Sequence, residues 1–133
     1  MSEYKVINVE FMDGDCLVEA LDQNGLCPEV HKEGTRITPY YQGREKPLAH
    51  IVVRKNKFSG MGDAGFEKTK SGYVLHVDEY DYRPNGVDKL KMNKIKQYYA
   101  EAVIKKSVKK HNRFVFKSRQ EKEGKIKIKI NVR

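Results

Sequence analysis

Tryptophan is absent from this chain of 133 residues, and cysteine and proline are scarce, with two and four residues. No apolar run approaches the roughly 18 residues of a membrane span, and the first residues do not have the apolar core of a secretory signal. The scarcity of cysteine argues against a disulfide-rich scaffold. We therefore expect a cytoplasmic protein that does not bind or cross a membrane.

The two cysteines, Cys16 and Cys27, belong to no CxxC pair and to no Cys/His cluster. Structural zinc sites and redox sites require such spacing. We expect two free, buried thiols rather than a disulfide or a metal site. No cofactor is indicated elsewhere in the sequence.

Positive charge is concentrated in the carboxyl-terminal part of the chain. Residues 83–133 hold 17 Lys and Arg against 4 Asp and Glu, whereas residues 1–82 hold 10 against 14. Fixed charge of one sign attracts anionic partners and speeds their encounter. Hydrophobic residues still make up 38% of the chain, which supports a single globular domain over residues 1–133 despite a mean hydropathy of −0.76.

The apolar pattern predicts an α+β fold with the order β-α-β-β-β-β-α-β-β. Asp13 as N-cap and Asn24-Gly25 as stop predict a helix over residues 14–23. Strands are predicted over residues 3–11, 29–33, 50–55, 66–69, 73–80, 113–119 and 125–133. The sheet should be mostly antiparallel with both helices on one face, and a ferredoxin-like core with an inserted hairpin is the nearest common type.

The second helix is predicted from residue 87 to about residue 105. Its core-facing stripe consists of Met92, Ile95, Tyr98, Tyr99, Ala102 and Val103. Lys106 falls on the same stripe, so we expect the helix to end or distort near that point. The many lysines on its other sides predict a positive ridge, although such lysines often serve only solubility.

The final hairpin is the first candidate binding site. Alternation places Phe114, Phe116, Ile126, Ile128 and Ile130 on one face and Arg113, Lys117, Arg119, Lys125, Lys127 and Lys129 on the other. Lysines two residues apart stand roughly 6.8 Å apart along a strand, a spacing that suits a phosphate backbone or one multiply charged ligand. The alternative is that they only prevent edge-to-edge aggregation.

The segment over residues 39–44 is the second candidate site. Tyr40 and Tyr41 could stack on a base or ring, while Gln42 and Arg44 could hydrogen-bond to it. The alternative is a structural loop whose tyrosines pack on the sheet. Gly60, Gly62 and Gly65 resemble a phosphate-binding loop, but no helix follows them, so the dinucleotide mechanism does not apply.

Catalytic patterns are weak in this sequence. His76 is the one histidine with a carboxylate, Asp78, on the same face of a predicted strand. No nucleophile elbow, Walker A lysine or HExxH motif is present. A structural role for His76 is favoured over a catalytic one.

Short motifs along the chain resemble a known family. They are Tyr41-Gln42-Gly43, residues 49–53, Asp63-Ala64-Gly65-Phe66, residues 72–75, Gln97-Tyr98-Tyr99-Ala100 and residues 123–126. This series is similar to the uncharacterised small-domain family that includes hypothetical chloroplast reading frame thirty-five, with cyanobacterial, bacterial and phage members. The resemblance implies no established activity. Where the family has Gln-Arg-Tyr-Ala, this chain has Gln97-Tyr98-Tyr99-Ala100, so a shared site that used that arginine would be altered here. A tryptophan-bearing segment of the family appears in this chain as Asp78-Glu79-Tyr80.

The leading hypothesis is a non-enzymatic protein whose basic surface binds a phosphate-bearing partner, either nucleic acid or a small nucleotide. A second hypothesis is an interaction subunit that docks an acidic protein through the edge of the hairpin. A third is an enzyme that uses His76 and Asp78.

Overall fold

The computed structural model describes residues 4–38, 40, 45–83, 86–110, 114–122 and 125–132. The strands are β1 (Tyr4–Phe11), β2 (Glu29–Arg36), β3 (Leu48–Val53), β4 (Ala64–Thr69), β5 (Gly72–Asp78), β6 (Tyr82–Arg83), β7 (Val87–Asp88), β8 (Phe114–Lys122) and β9 (Lys125–Val132). The helices are α1 (Gly14–Gln23) and α2 (Met92–Lys110), and a 3₁₀ turn lies at Lys55–Lys57. This confirms the α+β class and the predicted order of elements, to which the short strands β6 and β7 are added.

The main sheet has five strands in the order β1-β5-β4-β3-β2, and neighbouring strands are antiparallel. β2 to β5 form a meander, and β1 returns to pair with β5 at the far edge. A ferredoxin-like core would place its first strand inside the sheet, next to a parallel neighbour. That expectation is wrong, because β1 is an edge strand here and its described partner, β5, is antiparallel.

Both helices pack on one face of this sheet, as predicted. Leu17 and Leu21 of α1 and Ile95 of α2 join Phe66 and Leu75 of the sheet in one hydrophobic cluster. Each of these five side chains is completely buried. The predicted boundaries of α1 are confirmed, since the Asp13 carboxylate accepts a hydrogen bond from the backbone N–H of Cys16 at 3.1 Å.

The second helix differs from its prediction at both ends. Residues 87 and 88 pair with β6 instead of beginning the helix. The Asp88 carboxylate then accepts a hydrogen bond from the N–H of Met92 at 2.7 Å, at the point where α2 starts. The helix continues to Lys110 because the Lys106 side chain does not enter the core. It forms an ion pair with the carboxylate of Asp13, the N-cap residue of α1. Val103 is 38% exposed, so its predicted place in the core is also wrong.

The thiols differ from each other in exposure. Cys16 is a buried residue of α1, whereas Cys27 is exposed, which corrects the prediction that both are buried. Burial and the nearby Asp13 carboxylate raise the pKa of the Cys16 thiol to about 11. Cys16 is therefore an uncharged core thiol at neutral pH.

Among the helices of the described residues, none is long and apolar enough to cross a membrane.

Candidate anion-binding surface

The two strands of the final hairpin, β8 and β9, are joined by a ladder with one irregularity. Phe116 pairs with Ile130, and the next pair is Ser118 with Lys129. Two residues on β8 therefore correspond to one on β9, and Lys117 is the extra residue of a β-bulge. Because side chains alternate along a strand, one extra residue exchanges the two faces of β8 beyond this point.

The bulge places Arg119 on the face opposite to the one predicted. Arg119 pairs with Ile128 and Glu121 pairs with Ile126, and directly paired residues share a face. Arg119 therefore lies with the isoleucines and not with the lysines. The prediction assumed unbroken alternation from Arg113 to Arg119, which an unseen bulge violates.

Arg119 makes contacts with α2. Its guanidinium forms an ion pair with the Glu101 carboxylate, which is 2% exposed, and a second with Glu121 at 3.2 Å. The same guanidinium lies 5.2 Å from the centre of the Tyr98 ring. Hydrogen bonds from the Tyr98 hydroxyl and from Arg119 hold the pKa of the Glu121 carboxyl below its usual range. Arg119 therefore connects the hairpin to α2 through an ion pair and a ring contact.

The other face of the hairpin consists of positions 118, 120 and 122 of β8 and positions 125, 127 and 129 of β9. These six described positions hold a serine, a glutamine and four lysines, without a carboxylate. We call these positions the lysine face. Lys127 is exposed. The side chains of the other five positions of the lysine face and of Lys117 lie outside the described part of the structure, as does the whole of Arg113.

Lysines of α2 extend the positive charge beside the hairpin. Lys94 and Lys96 are exposed, and the Lys94 ammonium lies 5.9 Å from the centre of the Tyr98 ring, the ring that Arg119 also contacts. Lys105 and Lys106 are instead ion-paired, with Glu101 at 3.9 Å and with Asp13. Lys109 and Lys110, in the last turn of α2, are exposed as well, so exposed lysines lie at both ends of the helix.

The second predicted site is only partly described. Tyr41, Gln42 and Arg44 lie outside the described residues. Tyr40 is 47% exposed and lines an open cavity of about 400 Å³. The other residues lining it are Lys55, Asn56, Ser59, Gly60 and Met61.

This cavity brings the aromatic segment and the glycine segment of the sequence together. A Cβ atom on Gly62 would lie 3.2 Å from the backbone nitrogen of Tyr40 and 3.3 Å from the carbonyl oxygen of Thr38. The Tyr4 hydroxyl donates to the carbonyl oxygens of Thr38 and Asp63, at 2.9 and 2.7 Å. Burial, followed by the nearby aspartates, raises the pKa of Tyr4, so its hydroxyl keeps its proton.

Two buried carboxylates, Asp81 and Asp63, accept backbone hydrogen bonds at the glycine loop and on either side of it. Asp81 is completely buried and accepts hydrogen bonds from the N–H groups of Met61 at 2.9 Å and Gly62 at 3.3 Å. Lys89 forms an ion pair with it at 3.0 Å. Asp63 accepts the N–H of Lys55 at 2.9 Å. Asp81 lies in the turn between β5 and β6, where no sequence motif distinguishes it from an exposed turn residue, whereas Asp63 directly precedes β4 and belongs to one of the family motifs.

The structure places Tyr40 and the hairpin on different sides of the main sheet. Tyr4, which contacts the segment before Tyr40, belongs to the side of β1 that faces away from the helices, since Ile7 packs against the helix-side core. Arg119 contacts α2, which packs on the other face of the sheet. The described residues therefore do not combine the two predicted sites into one.

His76 and Asp78, the predicted catalytic pair, each have a described contact with another residue. His76 is 8% exposed, and its Nε2 lies 2.8 Å from Oε1 of Glu67 on the neighbouring strand. Asp78 is completely buried and accepts the N–H of Tyr80 at 2.9 Å. A buried histidine paired to a carboxylate across a sheet is typical of a structural role. Among the described residues, no three His, Cys, Asp or Glu side chains form a group that could hold a metal ion.

Residues 20–129 match the family described as Protein of unknown function (DUF1257). No curated protein matches the chain. No solved structure matches it either. The matched segment runs from α1 into β9 and includes most of the chain, as the resemblance to an uncharacterised family of small domains implied. The chain therefore belongs to the family described as Protein of unknown function (DUF1257).

Proposed function

We propose that this protein binds a phosphate-bearing polymer, a nucleic acid, through the lysine face of the β8–β9 hairpin. The observation that carries the proposal is the β-bulge at Lys117. It turns Arg119 and Glu121 toward α2, where their charges are paired. The remaining face holds four lysines, a serine and a glutamine, and Lys122 pairs with Lys125, so the six positions supply no carboxylate to cancel their positive charge.

The form of this surface favours a polymer over a single nucleotide. Positions 125, 127 and 129 follow one another at roughly 6.8 Å along an extended strand. Successive phosphates of a nucleic-acid strand can meet such a row, whereas a small nucleotide needs a concave site that surrounds it.

Salt dependence gives the first test. If about four lysines each neutralise one phosphate of a duplex, the logarithm of the association constant falls against the logarithm of salt concentration with a slope of about −3 to −4. Fluorescence anisotropy with a labelled 20-base-pair DNA and a labelled 20-nucleotide RNA, in 25 to 200 mM KCl, measures this slope.

A matched pair of triple variants locates the contact. The test variant carries Lys125→Glu, Lys127→Glu and Lys129→Glu. The control carries Lys57→Glu, Lys68→Glu and Lys70→Glu, which change the net charge equally at exposed positions of the main sheet region. We expect the test variant to weaken binding at least fiftyfold more than the control. Equal weakening would show a diffuse net-charge effect and overturn the proposal.

A second candidate function is the docking of an acidic protein at the edge of the hairpin. In the described part of the chain, β8 and β9 pair only with each other, so each presents an outer edge. Such edges accept an added strand through backbone hydrogen bonds. Capture of a protein partner that is insensitive to the triple lysine variant, together with no nucleic-acid binding at 25 mM KCl, would favour this function.

The proposal carries two further predictions about context. One is that the family extends to hypothetical chloroplast reading frame thirty-five and to phage members. The other is that the protein acts in the cytoplasm, where nucleic acids are accessible to it.

A further inference from the structure

Another irregular strand pairing lies at the β2 edge of the main sheet. Val30 of β2 pairs with Ile51 of β3, and the next pair is Thr35 with Ala49. Residues 31–34 of β2 therefore correspond to a single residue, His50, on β3. Gly34 within this segment has φ +84°, a conformation that favours glycine. Bulges of this kind frequently adjoin binding sites, because they turn side chains out of the regular ladder.

A cavity of about 400 Å³ lies beside this bulge, between β2, β3 and the start of α1. Its size is in the range of small-molecule sites. Its lining is mainly apolar, from Val18, Val30 and Ile51 together with the Tyr73 ring. The charged or ionisable residues of the lining are Asp15, His31, Lys32, His50 and Lys68.

The polar groups of the cavity are mostly hydrogen-bond donors. His50 accepts a hydrogen bond from the backbone N–H of Lys68 at its Nδ1, at 3.0 Å, so Nε2 carries the ring hydrogen and can donate. Lys32 and Lys68 supply ammonium groups. Burial, and then the Asp15 and Asp13 carboxylates, raise the pKa of Tyr73, which therefore stays a hydroxyl donor at neutral pH.

We infer that this cavity binds a small anionic amphiphile, a molecule with a short apolar body and one carboxylate or phosphate group. The apolar body would contact Val18 and Ile51, and the oxyanion would meet Lys68 and Lys32. Two lysines against the one carboxylate of Asp15 leave the lining positive, before any charge on the histidines. A neutral lipid or an inorganic anion alone would satisfy only half of this lining.

Isothermal titration of the whole protein with four probes separates these contributions. The probes are octyl phosphate, octanoate, octanol and inorganic phosphate. We expect one-to-one binding of at least one of the two octyl anions, at least tenfold tighter than that of octanol or phosphate. The comparison of octyl phosphate with octanoate identifies the preferred oxyanion. Equal affinity for the octyl anions and octanol would overturn the inference.

Two matched pairs of variants place the site. Lys68→Glu should weaken the tighter octyl anion at least fivefold, while Lys70→Glu, exposed two residues away and outside the lining, should change its affinity less than twofold. Val30→Asp should weaken it at least fivefold, while Val6→Asp should not. Val30 and Val6 are 63% and 64% exposed on edge strands, so we expect similar effects of the two changes on stability, and urea denaturation of both variants checks this.

The triple variant of Lys125, Lys127 and Lys129 completes the design. We expect it to bind the octyl anion as the unmodified protein does, because the hairpin lies beyond α2. If the triple variant loses the octyl anion while the cavity variants keep it, the anion binds at the lysine face and the cavity is not the site. The cavity is supported if the variant in its lining loses more affinity for the octyl anion than its control does, in either pair. Equal losses of affinity within both pairs overturn it.

Discussion

The guanidinium of Arg119 on β8 lies against the carboxylate of Glu101 on α2, which is 2% exposed. A carboxylate at this depth loses its hydration and depends on its partner for stabilisation. Lys105 approaches the same carboxylate only at 3.9 Å. Arg119 is therefore the principal partner, and it determines how the hairpin is held on the helix.

Replacing Arg119 by Gln should destabilise the protein without reducing nucleic-acid binding. The change leaves the Glu101 carboxylate without its nearest cation, and we expect a loss of about 1 to 3 kcal/mol in the free energy of unfolding, measured by urea denaturation. Lys127→Gln, at an exposed position, should cost less than about 0.5 kcal/mol. Nucleic-acid binding should instead be weakened more by Lys127→Gln than by Arg119→Gln. A larger loss of nucleic-acid affinity in Arg119→Gln than in Lys127→Gln would contradict this division of roles.

The sequence was sufficient to predict the hairpin itself but not the faces of both its strands. Alternating isoleucine and lysine from Lys125 onward specifies β9, because each face has one kind of residue. β8 has no such regularity, since the charged residues from Lys117 to Lys122 fit either face. The position of a bulge depends on how Arg119 and Glu121 meet α2, which is tertiary information.

The same limit applies to α2 and to the glycine loop. Propensity correctly predicted a long helix, but its start depends on Asp88 and on the pairing of β6 with β7, each of only two residues. The approach of Gly62 to Tyr40 and the burial of Asp81 join segments about 20 residues apart. Local periodicity carries no signal for such contacts.

Asp81→Asn should destabilise the loop that contains Met61 and Gly62. The buried carboxylate accepts two backbone N–H groups and pairs with Lys89, and an amide provides neither the charge nor two acceptors. We expect a loss of about 2 to 4 kcal/mol in urea denaturation. Hydrogen exchange should also show reduced protection of the Met61 amide.

The control for this change is Asp22→Asn, at an exposed position of α1. It should alter stability by less than about 0.5 kcal/mol. Unchanged protection of the Met61 amide in Asp81→Asn would show that the carboxylate does not hold the loop.

Gly65→Ala should cause a steric conflict that a second substitution relieves. A Cβ at Gly65 would lie 2.4 Å from the Cβ of Ala49 on the neighbouring strand, and both positions are buried. Overpacking of this kind costs about 1 to 3 kcal/mol. Ala49→Gly removes the obstructing methyl group, so the double variant should be more stable than the sum of the single effects predicts, by at least about 1 kcal/mol in a double-mutant cycle. Additive effects would place the conflict elsewhere, for example at Ile37.

Glu29 should contribute stability that is lost in acid. Arg54 donates to both of its carboxylate oxygens, at 2.9 and 2.8 Å, and His31 lies 3.0 Å from Oε1. The hydrogen bonds from Arg54, and then from His31, lower the pKa of Glu29 from its usual 4.5 to about 2. Because the folded-state pKa is the lower one, the stabilisation is complete above pH 4.5 and disappears as the pH falls toward 2.

Glu29→Gln should therefore cost about 0.5 to 1 kcal/mol at pH 6.5, since the side chain is 41% exposed and solvent screens the pair. The difference from the unmodified protein, measured by urea denaturation, should shrink as the pH falls from 4.5 to 2.5. At pH 6.5 it should also shrink in 1 M NaCl, because salt screens an exposed ion pair more than a buried one. A difference that is constant from pH 6.5 to pH 2.5 would mean that Glu29 acts through its shape and not through its charge.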